Sequence, residues 1–475
     1  MFWSHRTPSI LLGTYGPMGI RKYRLPLRSF DTHLYVVGRT KKGKSKFLEQ
    51  IAFQLMALKQ GCGLLDPHSD LAEDLLSYLA SQPNSRELLS RVIYFDPSRD
   101  DYLLPFNVLK SPGDAYTIAQ NVLEAMRRTW PESLREAPRF SNIVLAATIV
   151  LVENGLTLVE MPRLLTDPPY REELLAQVSN PEVARFFHDR YDQWGRERTV
   201  MVESVLNKVG AFVINPRLRL ILGQTENRLP FRQIMDQGRI LICNLGRVDA
   251  ETRRLLGSLI VTGLEQASFS RHDTPLSKRR RFYFVIDEFQ DYCANAGSEQ
   301  TLARILSECR KFGLHLILAH QNQAQLGGLI QGTLENAQVK AVFGVGRGTA
   351  ETLAQELFSP DLQAVKHQVE DRAQQERTHP TFVPLSEQWE KCVQQLQRLP
   401  RRRFLLQVPE RKGLVLLKTI TVPSVGELGG RLEGLKRRLV KKVGLPVRRM
   451  AQNLDSRLRK TETAQISYYE AVDDR

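Results

Sequence analysis

The sequence predicts an α/β fold with a largely parallel central sheet and an inserted all-α domain. Continuous apolar runs alternate with helical patterns along most of the chain, as expected for parallel strands that are buried on both faces. Between residues 112 and 222 the helical period persists but strand-like runs disappear. Strand-like runs then resume, so the helical segment is expected to interrupt a single sheet.

The first predicted strand and helix flank a phosphate-binding pattern. Residues 34–37 form a short apolar run, and apolar residues recur at helical spacing over residues 47–56. The letters between them, GRTKKGKS, satisfy G-x-x-x-x-G-K-[ST]. Glycines let the backbone wrap a phosphate, and the helix start directs free N–H groups at it. A nucleotide is therefore expected to contact Gly38, Arg39, Thr40, Lys41, Lys42, Gly43, Lys44 and Ser45.

The side chains of this loop have different expected roles. Lys44 would reach the β- and γ-phosphate oxygens of ATP, and Ser45 would ligate Mg²⁺. Lys41 and Lys42 are expected to point outward and to add only a general attraction for phosphate. The rival interpretation of the same letters is a basic surface turn between a strand and a helix.

The remaining elements follow from the same patterns in chain order. Two strands are predicted at residues 63–70 and 91–97, with an amphipathic helix between them. Prolines then divide the helical segment into several helices, and a lid, a DNA-binding element and simple scaffolding are all compatible with it. After this segment four more strands are expected, at residues 239–245, 282–288, 314–320 and 339–345.

The end of the chain has a different character. Residues 403–408 and 414–420 read as an antiparallel hairpin, and a basic helix with a flexible tail is expected beyond Pro423. These boundaries divide the chain into four parts. Residues 1–110 form a lead-in and the first part of the nucleotide domain, and residues 111–225 form the all-α insertion. Residues 226–425 form the second part of the nucleotide domain, and residues 426–475 form a basic tail.

Two adjacent carboxylates end one of the predicted strands. The run FYFVIDE places Asp287 and Glu288 at the carboxyl end of the strand, where a phosphate-binding loop needs acidic partners. Asp287 would hold the metal, and Glu288 would act as general base on the attacking water. Taken alone, such a pair is more often a structural feature of a helix start. Together with the phosphate loop it predicts a catalytic site.

The next strand contributes a polar residue at each end. Gln321 follows it, at the sheet edge where open α/β sheets bind ligands, and would contact the γ-phosphate or orient the attacking water. The alternative for Gln321 is loop capping, and His320 is expected to be packed or capping. Arg310 precedes the strand and would be a surface charge in a single subunit. In a ring it would reach the nucleotide of a neighbouring subunit.

The charge balance indicates a polyanionic partner. The 475 residues contain 67 Lys and Arg against 52 Asp and Glu, a formal net charge of +15. Nucleic acid is the favoured partner, and binding would be indifferent to sequence because no base-reading motif is present. The five cysteines lack metal-ligand spacing and are expected to be core thiols. No apolar run is long enough to span a bilayer, so a cytoplasmic protein without its own membrane span is expected.

These motifs resemble those of the HerA/FtsK-type P-loop pumps, and among them the coupling ATPases of conjugation and type IV secretion. The resemblance extends from Phe30 to about Phe358, and weakly to Thr421. It rests on the segments GRTKKGKS, LLDPHSDLAEDLL, YFDPSRDDYLLPFNVL, FVIDEFQDY and LSECRKFGLHLILAHQNQAQL. Two departures stand inside these motifs, because Lys41 and Ser69 occupy positions where the family usually has glycine.

The resemblance implies a RecA-like motor domain that hydrolyses Mg·ATP at the interfaces of a homohexameric ring and threads DNA through a basic pore. By motif position it implies phosphate and Mg²⁺ contacts for Lys44 and Ser45, metal and base roles for Asp287 and Glu288, sensing by Gln321 and a trans-acting finger at Arg310. Relaxase or secretion-channel proteins are the implied partners. The N-terminal membrane anchor of many coupling proteins is absent from this sequence, so recruitment to the membrane would require such partners.

Three functions remain open at this point. The first is an ATP-driven DNA translocase that serves conjugative transfer. The second is a chromosome-processing or repair pump of the same superfamily. The third is a DNA-docking protein whose hydrolysis has decayed.

Overall fold

The computed structural model describes residues 8–130, 138–292, 303–322, 326, 328–361, 363, 365–371, 377–422 and 430–459. Its strands, numbered in chain order, are β1 (Ser9–Tyr15), β2 (Arg21–Pro26), β3 (Leu34–Val37), β4 (Gly61–Asp66), β5 (Val92–Phe95), β6 (Tyr102–Leu103), β7 (Ile240–Asn244), β8 (Phe282–Ile286), β9 (Leu314–His320), β10 (Val339–Val342), β11 (Val365–Asp371), β12 (Arg377–Phe382), β13 (Arg403–Gln407), β14 (Val415–Lys418) and β15 (Leu445–Pro446).

Helices connect and cover the strands. Their bounds are Lys44–Ala57, Asp70–Ser81, Ser85–Arg91, Ala115–Thr129, Pro138–Glu153, Met161–Thr166, Pro168–Leu175, Pro181–Arg185, Arg196–Ile214, Pro216–Leu222, Phe231–Asp236, Ala250–Phe269, Gly328–Thr333, Arg347–Leu357, Leu385–Gln397 and Gly430–Val443. Residues 303–308 and 447–459 are also helical. None of the helices in the described ranges is long and apolar enough to cross a membrane.

One sheet of eleven strands organises the fold, in the order β2-β1-β14-β13-β10-β3-β9-β8-β4-β7-β5. The strands from β10 to β5 are mutually parallel. Every residue of β3, β4, β8 and β9 is buried, which explains their continuous apolar runs. Gly63 allows close strand packing, because a Cβ there would lie 2.6 Å from the Phe284 ring. The predicted α/β class with a largely parallel sheet is confirmed.

The antiparallel side of the sheet was only partly predicted. The hairpin of β13 and β14 is present, and β13 pairs with β10 at the edge of the parallel strands. The N-terminal strands β1 and β2 then extend the sheet beyond β14. A separate two-stranded sheet of β11 and β12 was not predicted.

The helical segment lies between β6 and β7, as predicted for an insertion into one sheet. Its core includes an aromatic cluster formed by Phe186, Phe187, Tyr191 and Trp194. The buried Arg171 guanidinium lies 5.2 Å from the centre of the Tyr191 ring and pairs with a carboxylate. These contacts give the segment its own packed interior.

The C-terminal segment packs onto both the sheet and the helical segment. The predicted basic helix is Gly430–Val443, and the Lys436 ammonium donates to Glu73 at 2.6 Å. β15 pairs with β6, and Arg457 donates to Glu160 at 2.8 Å. The predicted flexible tail falls on residues 460–475, which lie outside the described residues.

The cysteine prediction is confirmed for three residues. Cys62, Cys243 and Cys309 are buried, and burial raises the pKa of each thiol. Cys392 is half-buried, in contrast to the prediction, because it lies on a surface helix with a buried face formed by other residues. Cys293 lies outside the described residues.

Candidate nucleotide site at the carboxyl edge of the sheet

The phosphate loop leaves β3 and enters the helix Lys44–Ala57 at the carboxyl edge of the sheet. Gly38 is required by packing, because a Cβ there would lie 2.5 Å from the Phe343 Cβ. Gly43 has φ 114°, a left-handed conformation that favours glycine. The loop therefore brings unpaired N–H groups of a helix N-terminus to one point, as an anion site requires.

Lys44 lies at the centre of the site. Its Nζ donates to the His320 carbonyl at 3.0 Å and lies 3.5 Å from Glu288 Oε1. Burial lowers the pKa of the Lys44 ammonium, and the charges of Glu288 and Asp287 act in the opposite direction. A buried cation with few protein partners is well placed to bind phosphate oxygens.

The predicted acidic pair follows β8 directly, as expected. Burial raises the pKa of Asp287 to about 6, and the adjacent charge of Glu288 acts in the same direction. Glu288 has φ 45°, an unusual conformation for a residue with a side chain. The Glu288 carboxylate lies 3.5 Å from Lys44 Nζ, and the Glu288 amide donates to Asp287 Oδ1 at 3.1 Å.

Gln321 connects the phosphate loop to the acidic pair. Its Nε2 donates to Glu288 Oε1 at 2.6 Å, and its Oε1 accepts from the Thr40 hydroxyl at 2.7 Å. Neighbouring His320 is packed, since its ring stacks on Tyr35 with 5.3 Å between ring centres. The structure thus brings the loop, the carboxylates and the predicted sensor into one hydrogen-bonded group.

A hollow of about 420 Å³ beside the loop has the ligand chemistry that Mg²⁺ prefers. It is lined by Ser45, Asp66 and Asp287, together with further carboxylates of the helix Asp70–Ser81. The described residues hold no preassembled group of three or more His, Cys, Asp or Glu ligands. Mg²⁺ keeps several waters and takes one or two protein carboxylates plus nucleotide phosphates, and the lining of this hollow can supply the carboxylates.

Asp66 belongs to this site but was not predicted as a site residue. It ends β4, is buried and accepts hydrogen bonds from the His68 and Ala72 amides, both at 2.8 Å. Burial raises its pKa. The available signal was the position of an aspartate at the end of a predicted parallel strand, the same signal that identified Asp287.

Arg310 lies at the other edge of the sheet. It is exposed in the turn Cys309–Phe312, which precedes β9, whereas Gln321 follows β9. A seven-residue strand separates the two by roughly 20 Å. Arg310 lines a hollow of about 850 Å³ together with other cations, among them Arg280 and Lys311. It is therefore outside the group formed by the other predicted residues.

The prediction that Lys42 points outward is wrong. Lys42 is half-buried, and its Nζ donates to the Leu399 carbonyl at 2.8 Å. The pattern of the loop could not reveal this contact, because Leu399 is far away in the sequence. Lys41 is exposed, in line with the prediction, and has φ 64°.

Replacing Lys41 by Gly should tighten ATP binding by no more than about fivefold, because the left-handed conformation costs a side-chain-bearing residue about 1 kcal/mol. Titration of both proteins with a fluorescent ATP analogue gives the two affinities. A much larger gain would mean that the lysine distorts the loop, which would favour a decayed nucleotide site.

Comparison with known proteins places these features in one family. The sequence matches the family model described as type IV secretion-system coupling protein DNA-binding domain over residues 18–415. No curated protein matches the chain.

Solved structures share the fold at low sequence identity. The unbound bacterial conjugative coupling protein TrwB is 17% identical with a TM-score of 0.57, covering 87% of this chain and 90% of its own. Plasmid coupling protein TrwB in complex with ADP and Mg²⁺ is 18% identical with a TM-score of 0.56, covering 86% and 90%. VirB4 of Thermoanaerobacter pseudethanolicus is 14% identical with a TM-score of 0.55, covering 87% and 96%.

These likenesses confirm the predicted RecA-like fold with its all-α domain. The family match covers the phosphate loop, the acidic pair, Gln321 and Arg310. The chain belongs to the family of type IV secretion-system coupling protein DNA-binding domains.

Proposed function

We propose that this protein is an ATP-driven, sequence-nonspecific DNA translocase that acts as the coupling ATPase of conjugative, type IV secretion-like DNA transfer. The observation that carries the proposal is the hydrogen-bonded group of Thr40, Gln321 and Glu288 beside the Lys44 ammonium. This group joins a phosphate-binding loop to a carboxylate that can accept a proton. Family membership and the basic charge of the chain support DNA as the polymer that is moved.

The residues divide the hydrolysis of ATP among them. The loop amides and Lys44 hold the β- and γ-phosphates and offset their charge. Ser45 and Asp287 would hold Mg²⁺, with Asp66 beside them, and the ion would neutralise charge on the phosphate oxygens. Glu288 accepts a proton from the attacking water. TrwB in complex with ADP and Mg²⁺ supports the same cofactors for this chain.

Gln321 is proposed to report the state of the nucleotide. Its bonds to Thr40 and Glu288 span the place where a γ-phosphate would enter, so binding and release of that phosphate would rearrange them. Because Gln321 follows β9, a movement there is transmitted along a central strand of the sheet.

Gln321→Ala should retain ATP binding and lose about 10²-fold in turnover, because the general base and the attacking water lose their orienting amide. The matched control is Asn322→Ala, which removes the adjacent amide and its hydrogen bond from the Thr349 hydroxyl at 3.0 Å, and which should turn over ATP at nearly the wild-type rate. Steady-state hydrolysis together with ATP binding measures both effects. Equal rates for the two variants would reduce Gln321 to a loop-capping residue.

The charges at the two edges of the sheet support a head-to-tail ring. The carboxyl edge carries the acidic hollow, whereas the amino edge carries a basic surface. The cations of the basic surface are Lys59, Arg91, Arg239, Arg279, Arg280, Arg281, Arg310 and Lys311. Two of them are paired, Lys59 with Glu87 and Arg281 with Asp31. In a head-to-tail ring, the basic surface of one subunit would face the nucleotide of the next. A homohexamer in which Arg310 acts on the neighbouring nucleotide is therefore part of the proposal.

DNA contacts are assigned to cations that the fold leaves available. Two cations of the predicted basic run already have partners within the fold. Arg279 donates to the Lys311 carbonyl, and Arg281 forms a bidentate pair with Asp31. Arg401 is exposed in the second run. The helix Gly430–Val443 presents an exposed basic face that includes Arg431, Arg438 and Lys441. On the same helix, Arg437 pairs with Asp101 at 3.2 Å and Lys442 donates to the Ser90 carbonyl. Such a face suits backbone phosphates without base recognition.

ATP turnover, measured with and without single- and double-stranded DNA over a range of salt concentrations, tests the function. A coupling ATPase is expected to hydrolyse ATP faster with DNA, and salt should weaken the stimulation. Turnover that DNA does not change would favour the docking protein with decayed hydrolysis. Neighbouring genes distinguish the repair pump, since relaxase and secretion-channel genes fit the proposal and nuclease genes fit the alternative.

The proposed function also implies a location and a set of protein partners. A cytoplasmic ATPase that serves a secretion channel would be recruited to the inner face of the membrane by relaxase or channel proteins. Co-purification of these proteins from membranes, compared between cells with and without the channel genes, measures this recruitment.

A further inference from the structure

The phosphate loop contacts a turn that leads into the antiparallel hairpin of β13 and β14. The turn comprises residues 399–402 and precedes β13, and we call it the bracing turn. Lys42 Nζ donates to the Leu399 carbonyl at 2.8 Å, and the Arg402 amide donates to the Lys42 carbonyl at 2.9 Å. Both the side chain and the backbone of Lys42 are thus tied to one distant segment.

The bracing turn fits closely around this lysine. A Cβ on Gly344 would lie 2.8 Å from Lys42 Cε and 3.0 Å from the Leu399 carbonyl oxygen. Only a glycine at this position therefore leaves enough space for the Lys42 side chain to reach Leu399. A Cβ on Gly43 would lie 3.5 Å from the Arg402 Cα, so the turn also contacts the phosphate-binding glycine. The bracing turn therefore contacts the loop at Lys42 and Gly43, whereas Gln321 contacts it at Thr40.

The loop has a physical need for such support. Lys41 has φ 64° and Arg402 has φ 67°, so two residues with side chains hold left-handed conformations on either side of the contact. A conformation that costs energy persists only where surrounding contacts determine it. The two hydrogen bonds between Lys42 and the bracing turn supply such contacts at the residue after Lys41.

We infer that Lys42 is a positioning residue, which holds the phosphate loop in its nucleotide-binding conformation through the bracing turn. The inference rests on the proposed nucleotide site. It assigns to the turn before β13 a part in nucleotide binding, whereas Lys42 was expected to contribute only general attraction. The chemistry at Lys44, Glu288 and Gln321 does not involve this contact.

Lys42→Met removes the donor and keeps the length of the stem, and the matched control is Lys41→Met, which removes the same charge from the neighbouring position. We expect about tenfold weaker ATP binding for Lys42→Met, because a charge-assisted hydrogen bond to a carbonyl is lost. Turnover at saturating ATP should stay within about threefold of wild type, since the groups that act on the phosphate are intact. Lys42→Arg, which can still donate to Leu399, should recover most of the affinity.

Salt separates positioning from simple attraction. The effect of Lys41→Met should disappear at about 0.5 M salt, where exposed charges are screened, whereas the effect of Lys42→Met should persist. Gly344→Ala, which pushes the lysine stem aside, should weaken ATP binding in the same way. Equal affinities for Lys41→Met and Lys42→Met at both salt concentrations would overturn the inference.

Lys44→Ala distinguishes a failure of the bracing role from a failure of the proposed nucleotide site. If Lys44→Ala still binds ATP like wild type, the site is wrongly assigned. If Lys44→Ala loses binding while the Lys41 and Lys42 variants remain alike, only the bracing role is wrong. Thermal melting of each variant identifies any that is misfolded. If Lys42→Met is misfolded, the affinity of Lys42→Arg is compared with that of Lys41→Met instead.

Discussion

Replacing Lys44 by Ala is expected to weaken ATP binding about a hundredfold, because the β- and γ-phosphates lose their buried cationic partner, and losing one partner of a buried charge pair between binding groups costs about 2–5 kcal/mol. Lys44 is also the only described Lys or Arg within 4.0 Å of Glu288. Without Lys44, the unneutralised Glu288 carboxylate would repel the phosphates and weaken binding further. Equilibrium binding of a fluorescent ATP analogue measures the loss. Thermal melting of the nucleotide-free variant serves as the control for folding.

Glu288→Gln should retain ATP binding. A glutamine keeps an oxygen that can accept from Gln321, so the geometry of the site is preserved and ATP stays bound. Turnover should fall by about 10²–10⁴-fold, because an amide cannot accept the proton of the attacking water. Wild-type hydrolysis in both the Lys44 and the Glu288 variants would refute the assignment of this active site.

Arg310→Ala is expected to keep ATP binding and to lose most of the turnover. Trans-acting arginines contribute factors of about 10³–10⁵ in rate, because a guanidinium matches the dispersed charge of a transferring phosphoryl group. Arg310 lies roughly 20 Å from its own site, on the basic surface at the amino edge. The matched control is Lys311→Ala, which removes an exposed charge from the same turn and should cost only a few-fold.

Mixed rings test whether Arg310 acts across a subunit boundary. Arg310→Ala and Lys44→Ala subunits are each inactive alone, but their mixture contains interfaces that pair an intact loop with an intact finger. Such rings should regain part of the turnover. Co-assembled rings without any recovery, or a monomer that hydrolyses ATP fully, would leave Arg310 as a surface charge.

The sequence predicted those parts of the fold that depend on local patterns. Parallel strands such as β8 and β9 are recognisable because burial on both faces produces continuous apolar runs. The phosphate loop and the acidic pair are recognisable because their chemistry needs fixed residue types at fixed spacing. The loop and the acidic pair lie at the same edge of the sheet because each follows the carboxyl end of a parallel strand.

The features that sequence patterns missed depend on contacts between distant residues. Thr14 of β1 pairs with Lys418 of β14, and no local period specifies such a partner. Lys42 was misassigned because its partner, Leu399, is separated from it by 357 residues. Arg281 was treated as an available cation, whereas Asp31 neutralises it. In each case the local sequence determines the residue type, and the tertiary fold determines its partner.

The contacts of the C-terminal segment also have a consequence for the order in which the chain folds during synthesis. Lys436 and Glu73 are separated by 363 residues, so at about 5–20 residues per second the ribosome adds the second partner roughly 20–70 s after the first. During that interval β6 lacks β15, and Glu160 lacks Arg457. The nascent chain therefore passes through a period in which β6 is unpaired and Glu73 has Arg247 but not Lys436 as a partner, so the contacts that attach the C-terminal segment form last.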